Sequence, residues 1–434
     1  MRTLFTRSKK NIEQLLRKWE RHTRTDNIYL VKNASLMVLT QIISILNGFV
    51  LYILISRYLS KESYGQYKYL LSLFSLFGLT TFTGMKTAVA RDIANNNDGA
   101  LQAGFRRKLF GGFIGSILAL IAAGYYQLNG RTDLSIALVL LGIFGPWLYA
   151  ANVYTAIFIG KKRFDLYTKT NITTGIITFI AMACVFIFIN NPVWLFTAFL
   201  ATNSTIFIAY YLALRTVTNS NTSKGMLSYA TYLSKLDILG LLASSIDGVL
   251  IYHFLGASAL ATYSFATIPV EQIKGILLSI QSIAMPKFTV SALSHMQKTL
   301  GRKIFLFMIG IIGITIAYIA LTPFMFKKIF PTYTEAILYS QVYSLSLVFV
   351  VPASLLLTMF TAKGLRRETT AYNIINYSVQ ILLLIIGSWL YGLWGAIFAR
   401  LITRILMYLT SRIIFHNAQE PMEQNITALP NEYI

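Results

Sequence analysis

Residues 55–67 read Ile55-Ser56-Arg57-Tyr58-Leu59-Ser60-Lys61-Glu62-Ser63-Tyr64-Gly65-Gln66-Tyr67, and this stretch connects two long apolar segments. The flanking segments, at about 36–56 and 69–87, each approach the ~20 apolar residues that a helix needs to cross a bilayer. A polar stretch as short as this one leaves room only for a tight connection between two such helices. The sequence therefore predicts a helical hairpin in a membrane.

The alternation of apolar segments and short polar connections continues along the chain. Hydrophobic residues make up 55% of the 434 residues and charged residues 12%, against a charged share of about 25% in soluble domains. The mean hydropathy is +0.59. These values exclude a set of soluble domains and predict an all-α integral membrane protein. Beyond the first two spans we predict ten more, at 109–126, 134–159, 173–189, 194–214, 236–255, 260–283, 304–321, 336–361, 374–390 and 393–414.

The basic residues indicate how the spans are oriented. The formal net charge is +22, and the Lys and Arg residues lie almost entirely between apolar segments. Alternate connections on the side of the N-terminus carry 29 of them, and the opposite side carries six. Because cytoplasmic connections are rich in Lys and Arg, both termini are predicted in the cytoplasm. The net positive charge is therefore explained by the orientation of the spans in the membrane, and no nucleic acid is expected as a partner.

The two halves of the chain resemble each other. At a constant offset of 196 residues, Ile55 and Tyr67 align with Ile251 and Tyr263, and Gly65 falls on Ala261. Six spans per half is an even number, so the halves run in the same direction, related by an axis along the membrane normal. This repeat predicts two six-helix lobes around a central cavity, as in alternating-access transporters.

The predicted division of the chain follows from this repeat: a cytoplasmic basic tail at 1–35, a first lobe at 36–214, a cytoplasmic linker at 215–235, a second lobe at 236–414 and a cytoplasmic tail at 415–434. Within the first tail, Ile12, Leu15, Leu16 and Trp19 recur at helical spacing. Two interpretations remain open for this tail, an amphipathic helix on the membrane surface or a disordered basic segment.

Several motifs carry a resemblance to a known family. The stretch 55–67 resembles the first-loop signature of the polysaccharide-transporter branch of the multidrug/oligosaccharidyl-lipid/polysaccharide exporter superfamily. Other stretches resemble later motifs of the same family in the same order, namely 84–94, 158–164, 263–266, 285–288 and 391–396. The resemblance covers residues 35–410, nearly all of the predicted transmembrane region.

This resemblance implies an O-antigen or capsule repeat-unit flippase of a bacterial cytoplasmic (inner) membrane. Such a protein moves an undecaprenyl-diphosphate-linked oligosaccharide from the inner to the outer leaflet. The expected partners are that lipid, the membrane lipids, H⁺ or Na⁺ as a coupling ion, and proteins of polysaccharide assembly. No nucleotide-binding motif is found, so the energy is expected to come from an ion gradient, the favoured source, or from the gradient of the substrate itself. No cofactor is expected.

Five charged residues lie inside predicted spans and well away from the span ends. A charge near the bilayer centre costs about 2.5–3.5 kcal/mol on insertion scales, so it rarely persists without a use. Lys274, Arg400 and Arg404 are candidates for binding the diphosphate, because arginine offers a planar fork for phosphate oxygens. Asp247 and Glu271 are candidates for binding the coupling ion. The competing interpretation is structural: Glu271 pairs with Lys274 three residues away, and Asp247 pairs with an arginine.

Three more basic residues lie near span ends, where side chains normally reach toward the interface. Arg57, Lys86 and Arg91 are assigned to a rim that attracts the diphosphate. Cys184 and His253 are isolated in the sequence, so neither is assigned chemistry, and no metal site is expected.

Two other classes of function compete with a flippase, namely another kind of transporter and an enzyme. A cation-coupled multidrug exporter of the same superfamily prefers cationic substrates, which the basic surplus disfavours. A major-facilitator transporter would show a Gly-x-x-x-Asp-Arg/Lys run in the second connection, and none is present. A membrane polymerase or ligase of the same pathway needs a catalytic cluster on the outer side. The short outer connections carry only scattered charges, so an enzyme is not expected.

Overall fold

The computed structural model describes residues 27–189, 191–216, 221–281 and 293–418, and these ranges hold helices and no strand. The predicted amphipathic helix of the N-terminal tail and the motif at 285–288 lie outside the described residues. The α-helices are α1 (Asn27–Tyr58), α2 (Lys61–Phe77), α3 (Met85–Ala94), α4 (Ala100–Leu128), α5 (Thr132–Ala151), α6 (Thr155–Gly160), α7 (Phe164–Phe188), α8 (Pro192–Arg215), α9 (Met226–Leu255), α10 (Ala257–Gln281), α11 (Leu293–Ile329), α12 (Ala336–Ser344), α13 (Leu347–Ala362) and α14 (Arg366–Asn417).

The twelve predicted spans coincide with these helices, although some spans are broken. By length and composition alone, eight of the described helices could cross a membrane, or nine if the bent pair α12–α13 is one span. The second span is divided into α2 and α3 by a short 3₁₀ turn. Polar residues lower the hydropathy of α10. Finally, the last two spans lie within α14, which is kinked between them at Gly392, whose φ is +59°.

The internal repeat is visible in the helix ends. The first hairpin turns between Tyr58 and Lys61, and its counterpart turns between Leu255 and Ala257. An offset of 196 residues superimposes the two turns to within one residue. In the second hairpin the turn is Gly256, whose φ of +86° is readily adopted only by glycine. The predicted duplication therefore matches the fold at these two hairpins.

The bounds of the lobes, linker and tails remain a prediction. In the structure α8 ends at Arg215 and α9 begins at Met226, inside the segment that the sequence predicts as linker. In the same way, α1 begins at Asn27, inside the predicted basic tail. Helix ends and membrane boundaries need not coincide, because helices commonly extend past the hydrocarbon region.

The two lobes pack together along the second span. A Cβ on Gly65 of α2 would lie 1.9 Å from the carbonyl oxygen of Ala257, so only glycine allows this approach to α10. Near the other end of the span, the amide of Gly84 donates a hydrogen bond of 3.1 Å to the hydroxyl of Ser234 on α9. Small residues allow such close backbone contacts between membrane helices. This seam positions α2 beside the polar residues of α9 and α10.

Polar contacts join the lobes at the end of the bundle that contains the first hairpin, which is predicted to face outward and is called the outer end here. Lys61 Nζ lies 2.9 Å from Glu335 Oε1, and the Thr262 hydroxyl donates to the same oxygen at 2.6 Å. This hydrogen bond and Lys61 hold the pKa of Glu335 below its usual value. Thr332 Oγ1 also donates to the carbonyl of Ser56 at 2.7 Å.

Aromatic rings fill the space beneath these contacts. Phe265 stacks on Tyr333 with 3.7 Å between ring centroids. The ring of Tyr64 stands edge-on to Phe265 at 5.2 Å and to Tyr333 at 6.4 Å. Tyr64 comes from the first lobe and the other two rings from the second, and each of the three residues is at most 2% exposed. The outer end is thus closed between the lobes by polar contacts and a buried aromatic cluster.

Candidate functional site

Two adjoining cavities lie below the aromatic cluster. The first, the interlobe cavity, has a volume of about 270 Å³ and is bordered by α2 of the first lobe and by α9, α10, α12 and α14 of the second. The second, the inner pocket, has a volume of about 250 Å³ and is bordered by α9, α10, α13 and α14. Both are lined by Ser244, Lys274, Arg400 and Arg404, so the two form one continuous polar region.

A buried ion pair lies in the wall between the cavities. Arg400 Nε donates a hydrogen bond of 2.6 Å to Asp247 Oδ2, and its Nη2 contacts the same oxygen. The hydroxyl of Tyr263 donates to that oxygen at 2.8 Å. The side chains of Asp247 and Arg400 are only 7% and 11% exposed. Asp247 Oδ1 is also buried and has no hydrogen-bond partner among the described residues.

A second carboxylate, Glu271 of α10, is shared by three neighbours. It forms an ion pair with Lys274 on the same helix and accepts a hydrogen bond of 2.5 Å from the hydroxyl of Tyr343. Arg404 Nη2 is farther away, at 3.7 Å. The side chain of Glu271 is 37% exposed, so this carboxylate is far more open to water than Asp247.

Arg404 is the least satisfied cation of the second lobe's polar region. Its guanidinium carries five N–H donors and is 13% exposed. Among the described residues its partners are the carboxylate of Glu271 at 3.7 Å and the sulfur of Met407 at 3.9 Å. Both distances exceed those of a strong charge-assisted hydrogen bond. The fork of Arg404 is therefore available to an anion in either cavity.

The first lobe contributes a cation to the same space. Lys68 of α2 lines the interlobe cavity, and within the described ranges its ammonium has neither a hydrogen bond nor an ion pair. In total, four basic and two acidic side chains line this cavity, giving a net charge of +2. Because a concave, poorly hydrated site concentrates its field, this surplus favours an anionic guest.

The structure separates the candidate residues predicted from the sequence into two sets. Asp247, Glu271, Lys274, Arg400 and Arg404 all line the interlobe cavity. The predicted structural pairs, Glu271 with Lys274 and Asp247 with an arginine, are both present.

The rim candidates lie away from both cavities. Arg57 is exposed at the end of α1. The ammonium of Lys86 stands 5.6 Å from the ring centroid of Tyr167, and the guanidinium of Arg91 is 4.8 Å from that of Tyr229. The structure therefore brings none of the three to the polar region, and their role as a rim stays a proposal.

Sequence reasoning missed three residues of the site. Lys68 was counted in an outer connection, because the span was placed from residue 69, whereas α2 begins at Lys61. A helix start at Lys61 would have placed Lys68 two turns inside the bundle. Tyr263 was noted in the repeat and in a family motif, but nothing in the sequence linked it to Asp247. Tyr343, which donates to Glu271, gave no signal, because aromatic residues are common throughout these spans.

Comparison with known proteins decides the family. A model of the family described as "Polysaccharide biosynthesis protein" matches residues 30–292, well over half of the chain. The chain belongs to the polysaccharide biosynthesis protein family. The family resemblance drawn from the sequence motifs is confirmed. A search for similar sequences among curated proteins finds no significant match.

Solved structures show the same fold at low sequence identity. An inward-facing multidrug resistance MATE family transporter of the MOP superfamily superimposes with a TM-score of 0.63 at 12% identity, over 88% of this chain and 98% of the other. The lipid II flippase MurJ, in an inward closed conformation, gives a TM-score of 0.60 at 13% identity, over 88% and 87%. A MATE protein in a straight conformation gives 0.59 at 16% identity, over 89% and 95%.

Together the family match and the long apolar helices identify a multi-pass membrane protein of the polysaccharide biosynthesis protein family, which shares the fold of MATE transporters and of MurJ. The fold of two six-helix lobes predicted from the sequence is confirmed.

Arg400 and Arg404 lie one turn apart on α14, and we expect their removal to affect stability very differently. Arg400→Ala leaves Asp247 buried and unpaired, which should lower the free energy of unfolding by about 3–5 kcal/mol. Arg404→Ala removes only long contacts and should cost about 1 kcal/mol. Thermal unfolding of the purified variants in detergent measures the difference. The double variant Asp247→Asn/Arg400→Gln should recover most of the loss, and equal losses for the two alanine variants would contradict this assignment.

Proposed function

We propose that this protein is a flippase that carries an undecaprenyl-diphosphate-linked oligosaccharide from the inner to the outer leaflet of a bacterial cytoplasmic membrane. It works by alternating access, as a transporter rather than an enzyme, with both termini in the cytoplasm. The glycan belongs to a surface polysaccharide such as O-antigen or capsule. Family membership supports a role in polysaccharide biosynthesis, and the likeness in fold to a lipid II flippase is consistent with a lipid-linked substrate.

The net positive interlobe cavity is the observation that carries this proposal. A diphosphate is an anion with several strong acceptor oxygens, and leaving water costs it hydration that only cations or multiple donors can offset. Lys68, which has no ion pair among the described residues, and Arg404, whose ion pair with Glu271 is long, are the cations most available to it. They come from opposite lobes, so a diphosphate bound to both would connect the lobes through the substrate itself.

The paired cations have a different role in this proposal. Arg400 and Lys274 are held by Asp247 and Glu271, so their net contribution to binding is smaller than that of Arg404. They maintain the shape and the positive potential of the cavity. Arg57, Lys86 and Arg91 are proposed to attract the headgroup at the ends of the bundle before it reaches this cavity.

Alternating access requires the outer end to open for release. The contact of Lys61 with Glu335, the hydrogen bond of Thr332 and the aromatic cluster all join the lobes there. A substrate in the interlobe cavity is therefore separated from the outer end until these contacts break. The exposed, screened ion pair contributes little to this closure, and the buried rings contribute most.

A multidrug exporter is the second candidate, because MATE transporters are among the structural neighbours. Cationic drugs need a cavity with a negative surplus. Here the two carboxylates are engaged by basic partners, and the lining carries a positive surplus. The charge of the cavity therefore favours an anionic substrate.

We expect Arg404→Gln to weaken binding of undecaprenyl diphosphate by about tenfold to a hundredfold, as is typical for loss of a charge-assisted hydrogen-bonding partner. Arg404→Lys should restore only part of the affinity, since lysine keeps the charge and loses the fork. Arg412→Gln is the matched control, because Arg412 lies on the same helix, exposed and away from both cavities. Binding can be measured by native mass spectrometry with undecaprenyl diphosphate in detergent.

The loss should be accompanied by a weaker dependence of affinity on salt, because one charge contact is gone. Unchanged affinity in folded Arg404→Gln protein, or an equal loss in Arg412→Gln, would show that the diphosphate is bound elsewhere.

We propose that ion coupling acts through the carboxylates of the cavity, and chiefly through Glu271. This side chain is open to water and contacts both Lys274 and Arg404, so binding of a proton or Na⁺ there changes the charge presented to the diphosphate. By linkage, substrate binding changes ion binding by the same factor. Asp247, with one unpaired buried oxygen, is the secondary candidate.

Glu271→Gln should abolish the dependence of transport on an imposed H⁺ or Na⁺ gradient, because glutamine can neither take up a proton nor balance Na⁺. Flipping of a fluorescent lipid-linked oligosaccharide in proteoliposomes, with and without the gradient, measures this dependence. The Arg412→Gln protein again serves as the control. Retained gradient dependence in both Glu271→Gln and Asp247→Asn would restrict the two carboxylates to a structural role.

A further inference from the structure

The inner pocket adjoins the cavity proposed to hold the diphosphate and has a lining of its own. Along α9, its residue Gly240 lies two turns from Asp247 toward the helix start, which is the predicted cytoplasmic end. Along α14, Met407 lies beyond Arg404 in the same direction. Arg404 lines both cavities. A group bonded directly to a phosphate at Arg404 would therefore reach the inner pocket.

The lining of this pocket differs from that of the interlobe cavity. Tyr372 and Tyr377 of α14 face it, and the hydroxyls of both have no hydrogen-bond partner among the described residues. Tyr372 is only 4% exposed, but its hydroxyl is not among the fully buried unpaired oxygens, so a guest in the pocket can reach it. Gln380 donates its side-chain amide to the carbonyl of Ala243 at 2.6 Å, which leaves its amide oxygen to accept.

This combination suits a sugar ring. A pyranose presents hydroxyls that need both donors and acceptors, and apolar C–H faces that pack on aromatic rings. Buried tyrosines supply both kinds of contact, since each has an apolar body and a polar tip. The volume of about 250 Å³ lies just below the range of roughly 300–1,000 Å³ for sites of drug-sized ligands. One ring fits such a space, and a longer glycan does not.

We propose that the inner pocket is a recognition site for the single sugar bonded to the diphosphate, and that it gives the flippase its preference for that sugar. The inference rests on the proposed function, because it assumes a diphosphate at Arg404. The remaining sugars of the repeat unit stay outside the pocket. Selection of the first sugar by Tyr372, Tyr377 and Gln380 then precedes movement between leaflets.

The test compares lipids with and without a sugar. The probes are undecaprenyl diphosphate and the same lipid carrying one glucose, galactose, N-acetylglucosamine or N-acetylgalactosamine. We expect the wild-type protein to bind at least one glycosylated lipid more tightly than undecaprenyl diphosphate. The double variant Tyr372→Phe/Tyr377→Phe keeps both rings and removes two hydroxyls, so the preference should fall by about tenfold. Its affinity for undecaprenyl diphosphate should be unchanged.

Tyr391→Phe is the matched control, because Tyr391 lies on the same helix and is 73% exposed. It should keep the full preference. Wild-type protein that binds every probe equally would overturn the sugar site while leaving the diphosphate site intact. A preference that survives in the double variant would also overturn it. Wild-type protein that binds none of the lipids would overturn the proposed function together with the sugar site.

Discussion

The ion pair between Asp247 and Arg400 is the interaction on which the polar interior depends. A charge in the middle of a membrane helix is costly, and neither residue could stay ionised there alone. Their contact, completed by the hydroxyl of Tyr263, fixes α9, α10 and the second half of α14 against one another. Arg400 lines both cavities, and Asp247 lines the interlobe cavity. Formation of the ion pair also removes Arg400 from competition for an anionic guest.

Once Arg400 and Lys274 are paired, the remaining cations are divided between the lobes. Arg404 borders both cavities from the second lobe, and Lys68 borders one from the first. We propose that a ligand with two adjacent phosphates contacts both residues while the ion pairs of Arg400 and Lys274 stay intact. This division allows a polar headgroup to be bound strongly at the seam between two bodies that must move relative to each other. The kink at Gly392 contributes by setting the direction in which the second half of α14 presents its arginines.

Much of the fold could be predicted from the sequence because bilayer thickness and charge distribution constrain it strongly. The twelve spans and the repeated hairpin follow from apolar length and from the offset between halves. The break in the second span could not be predicted, since the Gly and Thr residues of the turn before Met85 also occur in unbroken membrane helices. The close contact between the lobes at Gly65 was equally unpredictable, because the position of α10, which leaves no room for a side chain there, cannot be read from the sequence.

The candidate site was predictable as a set, but its internal organisation was predictable only in part. Intramembrane charges are rare, so Asp247, Glu271, Lys274, Arg400 and Arg404 could be selected by position alone. Which cation pairs with which carboxylate depends on contacts between helices more than a hundred residues apart. For this reason Arg400 and Arg404 looked equivalent in sequence, whereas the structure gives one to Asp247 and leaves the other open. The pocket tyrosines could not be distinguished from the many other tyrosines of the chain.

The central claim is that the diphosphate binds between Lys68 and Arg404 while the pair of Asp247 and Arg400 stays intact. A cryo-EM structure of the protein in lipid nanodiscs with undecaprenyl diphosphate tests it most directly. The account expects phosphate density in the interlobe cavity within hydrogen-bonding distance of the Arg404 guanidinium, with Lys68 on its other side. Phosphate density outside this cavity, or an Arg400 that has left Asp247 to bind it, would contradict the account.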